Sequence, residues 1–513
     1  MLPHAPAGAV REAGWAIDPS RIPSLVAPDG SDTRALARLG ETLRRLLPDR
    51  RMEFVPFESY VLRSLGSGVD AGGPPVGPEC LLLRDGVEIE RERLEQLATG
   101  ELEMLAALGV LAVDGTMVRA RLLLEQIDGV IVMRDRPEWA ADPLVVQGLT
   151  NPATLLAYLT PRERCRDTLD LGCGNGLQAL LAARHSNRVV AVDVNDRAVR
   201  MTRLAATLND LPHVEVRRGS WLDPVEGDQF DLVVSNPPYV ETPLHDLVYL
   251  RGDHLGGEGV CRHLTRELPR VMRRGATGVV LVNWGIRPGD EWASEPLRWL
   301  EGSEVDALIV GYQAVELERY AWEVTVAASG GLRAEDLDLA RWRDHFARLG
   351  VEAMGEGVVA LRRARAERSA RHSAQWATHE PGADAGTHLS RILDGLDALA
   401  GHPLETTSSA VPHFEGSHVV TQELTFDANE YHDAAVRYDV PSGVGITVDV
   451  APDTLASLLA IDGQRSIADL AGASEPSSIA GNSPEPVTTT TSGGVVAAIA
   501  ALVAAGVVVV EPR

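Results

Sequence analysis

The chain has no lysine; every one of its 48 basic side chains is arginine. That removes lysine as a catalytic base or Schiff-base nucleophile, because a guanidinium stays protonated at working pH. Cysteine is scarce: Cys80, Cys165, Cys173 and Cys261 are the four. None forms C-x-x-C, and no His/Cys group has zinc spacing. Neither a disulfide framework nor a metal site is expected, and the pattern suits a reducing cytoplasm. The first residues lack a basic stretch followed by an apolar core, so no secretory signal is expected. Long apolar runs are missing too. Residues 495–510 come nearest, but they fall short of the ~20 that cross a bilayer and are broken by Gly506. They read as a helix, a glycine cap and a terminal valine strand, with no membrane partner. Positive charge is in deficit: the formal net charge is -25. Such a surface disfavours loose, charge-driven binding to nucleic acid or anionic lipid, although a local basic groove would still admit RNA.

At 513 residues the chain has room for ~3 domains. Residues 1–30, rich in Pro, Ala and Gly, read as an arm. Residues 31–147 read as a helical, winged-helix-like domain, with a helix over 32–47 and a Gly/Pro loop over 66–77. One or two helices follow over 90–108, then hairpin turns at Asp114-Gly115 and Asp128-Gly129. Arg44, Arg45, Arg50 and Arg51 cluster there, as a solvated helix end or as contacts for a substrate phosphate. Residues 364–386, entered through the arginine-rich 362–371, read as a linker with a solvated helix. Residues 387–513 are acidic and read as a second winged-helix-like domain, with a Ser/Thr/Gly/Pro loop over 471–494.

Between them, residues 148–363 alternate strand and helix, which predicts a mostly parallel α/β sheet. Its first strand, over 168–171, runs into Asp170-Leu171-Gly172-Cys173-Gly174-Asn175-Gly176. Glycines at alternate positions let a backbone turn tightly and approach a ligand, and the next helix points its N–H groups back at it. A second strand ends at Asp193, ~20 residues on, where a carboxylate can accept ribose hydroxyls. A later valine strand, over 230–235, ends at Asn236-Pro237-Pro238-Tyr239. Ligands of open α/β sheets bind at that carboxyl edge.

These residues resemble the class I S-adenosyl-L-methionine (SAM)-dependent methyltransferases that carry N-P-P-Y and methylate nitrogen. That group, in the small-domain superfamily, includes release-factor glutamine N5 and ribosomal guanine N2 methyltransferases. The run from Gly219-Ser220 to Asn236-Pro237-Pro238, with residues 249–253 and Asn283-Trp284, is similar to a three-part family of high-GC bacteria. The resemblance implies a Rossmann-like sheet with a reversed final strand. It also places Asp170, Gly172, Cys173, Gly174, Asn175 and Gly176 around the methionine part of SAM. Asp193 falls at the ribose with Asn195 beside it, and Ser220 and Trp221 fall at the adenine. The glutamine enzymes carry Asp where Ser220 stands. Plainer roles are a helix cap for Asp170, core packing for Trp221 and a surface turn for Asn236–Tyr239.

Asn236 suits an amino acceptor. Its side-chain oxygen and the Pro237 carbonyl can each accept an N–H, which aims the nitrogen lone pair and rejects guests without one. Tyr239 offers a flat face. A protonated amine would also need a base, for which His245 and Asp246 are candidates. The expected activity is SAM-dependent N-methylation of a peptide or protein, as in tailoring of a ribosomally made peptide. Rivals are glutamine N5 or rRNA base methylation, and a SAM-binding DNA regulator without turnover.

Overall fold

Valine-rich runs alternate with amphipathic stretches, and in the computed structural model they fold as one eight-stranded sheet with helices on both faces. The structure describes residues 30–53, 76–136, 144–243, 256–329, 337–365, 367–401, 409–427, 430–472 and 492–511. The expected arm, most of the 66–77 and 471–494 loops, His245, Asp246 and residues 249–253 lie outside them.

The strands are β1 (Cys165–Leu171), β2 (Ser186–Asp193), β3 (Val214–Arg218), β4 (Phe230–Ser235), β5 (Met272–Ile286), β6 (Val305–Glu316), β7 (Ala353–Arg363) and β8 (His372–Trp376). Their order is β8-β6-β7-β5-β4-β1-β2-β3. β7 runs antiparallel to both β5 and β6, and the other pairings are parallel. The order turns back between β1 and β4, so a crevice opens beyond their carboxyl ends, where ligands of such sheets sit.

Covering both faces explains why the strands read as continuous apolar runs. Leu232, Val234, Val279 and Leu281 pack with helices α1 (Asn151–Leu159) and α8 (Ala385–Gly401). Val233, Val280, Val282 and Trp284 pack on the other face with α4 (Gly257–Glu267). The remaining helices of this part are α2 (Leu177–Ala182), α3 (Asp196–Leu208), α5 (Ser294–Trp299), α6 (Leu317–Ser329) and α7 (Leu339–Leu349).

The stretch expected as a linker helix behaves otherwise. Its arginine run is tied down: Arg368 reaches Asp306 on β6 and Asp397 on α8. The segment after it forms β8, a parallel edge strand on β6. Partnered charge, not solvation, explains the arginines.

The preceding unit carries a helix (Gly30–Leu46) and two three-stranded sheets. Both expected turns close hairpins there. Leu39 and Leu43 of that helix share one core with Leu180 on α2 and Met201 and Leu204 on α3. Arg44 caps the end of α3 through the Leu208 carbonyl, 3.3 Å away, so part of the arginine cluster joins units. A buried ion pair between Asp135 and Arg197 locks the same interface. The last unit likewise shares core with α8 through Val444 and Ile446. Its terminal helix (Ser492–Ala504) and strand (Val508–Glu511) match the sequence reading, and strand Val411–Phe414 pairs with the latter. Among the described residues no helix is long and apolar enough to cross a membrane.

Candidate active site

Parallel pairing of β1 and β4 sets Ser235 opposite Leu171, and the Ser235 hydroxyl donates to the Leu171 carbonyl at 2.8 Å. The glycine loop and the Asn-Pro-Pro-Tyr motif therefore leave the sheet side by side at the crevice. Gly172, Gly174 and Gly176 all have positive φ (77°, 53° and 83°), which side chains resist. A Cβ on Gly172 would point to the Asn236 carbonyl oxygen, 3.8 Å away, into the space between the two loops. A Cβ on Gly176 would strike Thr202 at 2.7 Å.

Two carboxylates flank this cradle. Asp193, ending β2, accepts the Gly174 N–H and the Asn195 N–H at 2.8 Å each. Its carboxylate keeps a lone pair for a ligand hydroxyl. Burial raises its pKa against hydrogen bonds from the Asn195, Gly174 and Val194 N–H groups. Asp170, 1% exposed, accepts the Ala179 N–H of α2 at 2.9 Å, so the capping role is real. Burial pushes its pKa up to about 7, with the nearby Asp193 adding to the rise. Such a carboxyl, short of a cation, suits a ligand ammonium.

Three expected cofactor residues serve the scaffold with their side chains. Cys173 points into a small core with Ala179 and Val199, and its N–H is spent on the Val192 carbonyl. Burial raises its thiol pKa well above the usual range. Asn175 accepts the Leu177 N–H and donates to the Gln147 carbonyl. Asn195 caps α3 through the Arg197 N–H and donates to the Leu144 carbonyl. Asn and small residues at such turns carry capping chemistry as readily as ligand contacts. Ser220 and Trp221 follow β3, where Gly219 N–H bonds the Asp193 carbonyl. Trp221 has a φ of 49° and meets the His263 ring edge-on, with centroids 4.9 Å apart.

On the acceptor side, Pro237 is buried and Tyr239 packs against the cores of both faces. The Pro237 carbonyl already accepts the Tyr239 N–H at 2.7 Å, leaving one lone pair for a guest. The half-buried Asn236 side chain makes no hydrogen bond among the described residues. Sequence reasoning missed what braces this segment. Glu241 accepts from His345 Nε2 at 3.0 Å and from the Glu258 N–H at 3.2 Å. Its own N–H donates to the Tyr320 hydroxyl at 2.9 Å. Gly257 presses so close to Tyr239 that a Cβ there would lie 2.2 Å from its carbonyl oxygen. These partners of Glu241 lie 17 to 104 residues further along the chain, so no local spacing marked them. Beyond it, a cleft of about 450 Å³ opens between Pro243 and α7, lined by Arg341, His345 and Arg348.

Residues 148–248 match the family model of the methyltransferase small domain. They form a class I, SAM-dependent methyltransferase unit of the small-domain type. A release factor glutamine methyltransferase of Aliivibrio fischeri is 42% identical over 89 residues, 17% of this chain and 31% of that protein. One from Xylella fastidiosa is 33% identical over 153 residues, 28% of this chain and 51% of that protein. A ribosomal protein L11 methyltransferase of Acetivibrio thermocellus is 29% identical over 148 residues, 27% of this chain and 44% of that protein. The chain thus spans about half or less of the length of these relatives. The match covers the glycine loop, Asp193 and the Asn-Pro-Pro-Tyr motif of the methyltransferase unit.

Proposed function

We propose that the chain transfers a methyl group from SAM to an N–H-bearing nitrogen on a peptide or protein. The observation that carries this is Asn236: a side-chain amide with no hydrogen bond among the described residues, at the switch point beside a glycine cradle flanked by two carboxylates. The residues fit SAM. Asp170 would hold its ammonium, Asp193 its ribose hydroxyls and Trp221 its adenine ring, with Ser220 beside it. Gly172, Gly174 and Gly176 leave room for its methionine part. When bound, it supplies an electrophilic methyl on a sulfonium, whose leaving group departs neutral.

This chain's part is then positioning. Asn236 Oδ1 accepts one guest N–H and the Pro237 carbonyl a second, so the nitrogen lone pair faces the methyl. Tyr239 covers the guest. A guest without N–H would leave both acceptors unpaired. The protein substrate is supported by the net charge and by what the relatives' names state they act on. Tailoring of a ribosomally made peptide, docked on winged-helix-like flanking units, is the version we favour. Glutamine N5 methylation of a release factor is the second reading, favoured by the match to those enzymes. Transfer of labelled methyl to peptide or to rRNA, over a salt series, tests it. Peptide labelling is expected. Labelling of rRNA alone, with steeply salt-dependent binding, would overturn it.

A further inference from the structure

β5, β7 and β6 run on past the end of β4, each antiparallel to its neighbour, and at that overhang Asn283 stands directly opposite Glu356. Glu356 in turn faces Gln313 across β6. Alternation puts Asn283 on the face of Val279 and Leu281, and Glu356 on that of Val358 and Ala360. Asn236 continues the same face from Leu232 and Val234. Asn283 stands on the strand between them: Asn236 and Glu356 are two strand spacings apart across the sheet and offset by two residues along it, ~12 Å in all.

Asn283 is 0% exposed, yet its side-chain nitrogen has no acceptor among the described residues. The Tyr320 hydroxyl, which takes the Glu241 N–H, donates to Asn283 Oδ1 at 3.5 Å and so leaves the nitrogen as the open end. Unpaired buried donors are rare and need a partner to account for them. Glu356 makes no salt bridge among the described residues. Arg319, the nearest cation on α6, is bonded to Glu323.

We propose that Asn283 and Glu356 extend the acceptor pocket past Asn236, and that it takes a positively charged nitrogen group of a peptide, an ammonium or guanidinium. This rests on the methyl-transfer reading above. Asn283 Nδ2 donates to a carbonyl of the guest. The Glu356 carboxylate receives one proton from the charged nitrogen. The freed lone pair then forms the N–CH₃ bond as the S–CH₃ bond breaks, its electrons staying on sulfur. A neutral amide would leave the Glu356 charge unmatched.

Burial pushes the Glu356 pKa up to about 7, with Glu323 raising it and Arg319 lowering it. Tyr320 and Asn283 face it uncharged. A base in that range is well matched to neutral pH.

The test is transfer of labelled methyl from SAM to three capped peptides that differ only in a central Lys, Arg or Gln. The wild type is expected to methylate the Lys or the Arg peptide and not the Gln peptide. Its kcat/KM, which reports the free chain, should rise with pH through about 7. Glu356→Gln should lose ~100-fold in kcat and that rising limb, with SAM affinity by calorimetry unchanged as the check on folding. Asn283→Ala should mainly raise the peptide KM. Labelling of the Gln peptide with Glu356→Gln fully active overturns the inference while leaving methyl transfer standing. So does SAM binding with no peptide labelled. Absence of SAM binding removes the underlying reading itself.

Discussion

SAM binding at pH 7 should expel protons, because Asp170 is a carboxyl held near neutrality in the free chain. Its pKa is pushed up to about 7 by burial, from 3.8. Half the free molecules are therefore protonated at that position, and an ammonium beside it favours the ionised form by ~1–3 units. Binding should release about half a proton per site at pH 7 and almost none at pH 9. Calorimetry in phosphate and in Tris reads this as a heat that scales with the buffer's ionisation enthalpy. The same shift bears on stability. A folded pKa above the unfolded one means stability is full below pH ~4 and is lost as pH rises through about 7. Three units correspond to at most ~4 kcal/mol. Asp170→Asn keeps an oxygen for the Ala179 N–H but cannot ionise. The SAM-free variant should therefore melt above wild type at pH 8, with the gap closing at pH 4. It should also bind SAM more weakly and release no proton. Buffer-independent heats in the wild type, with a variant that melts lower at pH 8, would refute the reasoning.

Two further outcomes follow from close contacts. Gly257→Ala puts a Cβ 2.2 Å from the Tyr239 carbonyl oxygen, so the acceptor segment must shift. Methyl transfer should fall by ~10-fold or more while SAM affinity holds, as positioning errors act on the chemical step; parallel losses of both would contradict this. Asp135→Ala leaves the Arg197 guanidinium buried without its partner. Denaturant unfolding should show a loss of ~3–5 kcal/mol, and the apolar pair Asp135→Leu with Arg197→Met should recover most of it.

Much of the site could be read from the sequence because it is local. Gly172 to Gly176, Asp193 and Asn236 sit at strand ends whose positions follow from valine runs and turn residues. Pairing of Ser235 with Leu171 then brings them together. What escaped reading depends on tertiary partners. Cys173, Asn175 and Asn195 lie in the loops at these strand ends, but their side chains answer to core and caps that sequence spacing does not reveal. β8 was hidden behind arginines whose acids, Asp306 and Asp397, come from elsewhere in the chain. Asn283 and Glu356 meet only because β7 is reversed against an overlong β5, a pairing across 73 residues of sequence.

The central claim is that Asn236 grips the N–H of the acceptor while the glycine cradle holds SAM. The direct measurement is Asn236→Ala, assayed for SAM binding by calorimetry and for transfer of labelled methyl to peptide. SAM affinity within about twofold of wild type and transfer reduced by ~100-fold or more is the expected result. Unchanged transfer, or no SAM binding by the wild-type chain, would contradict the account.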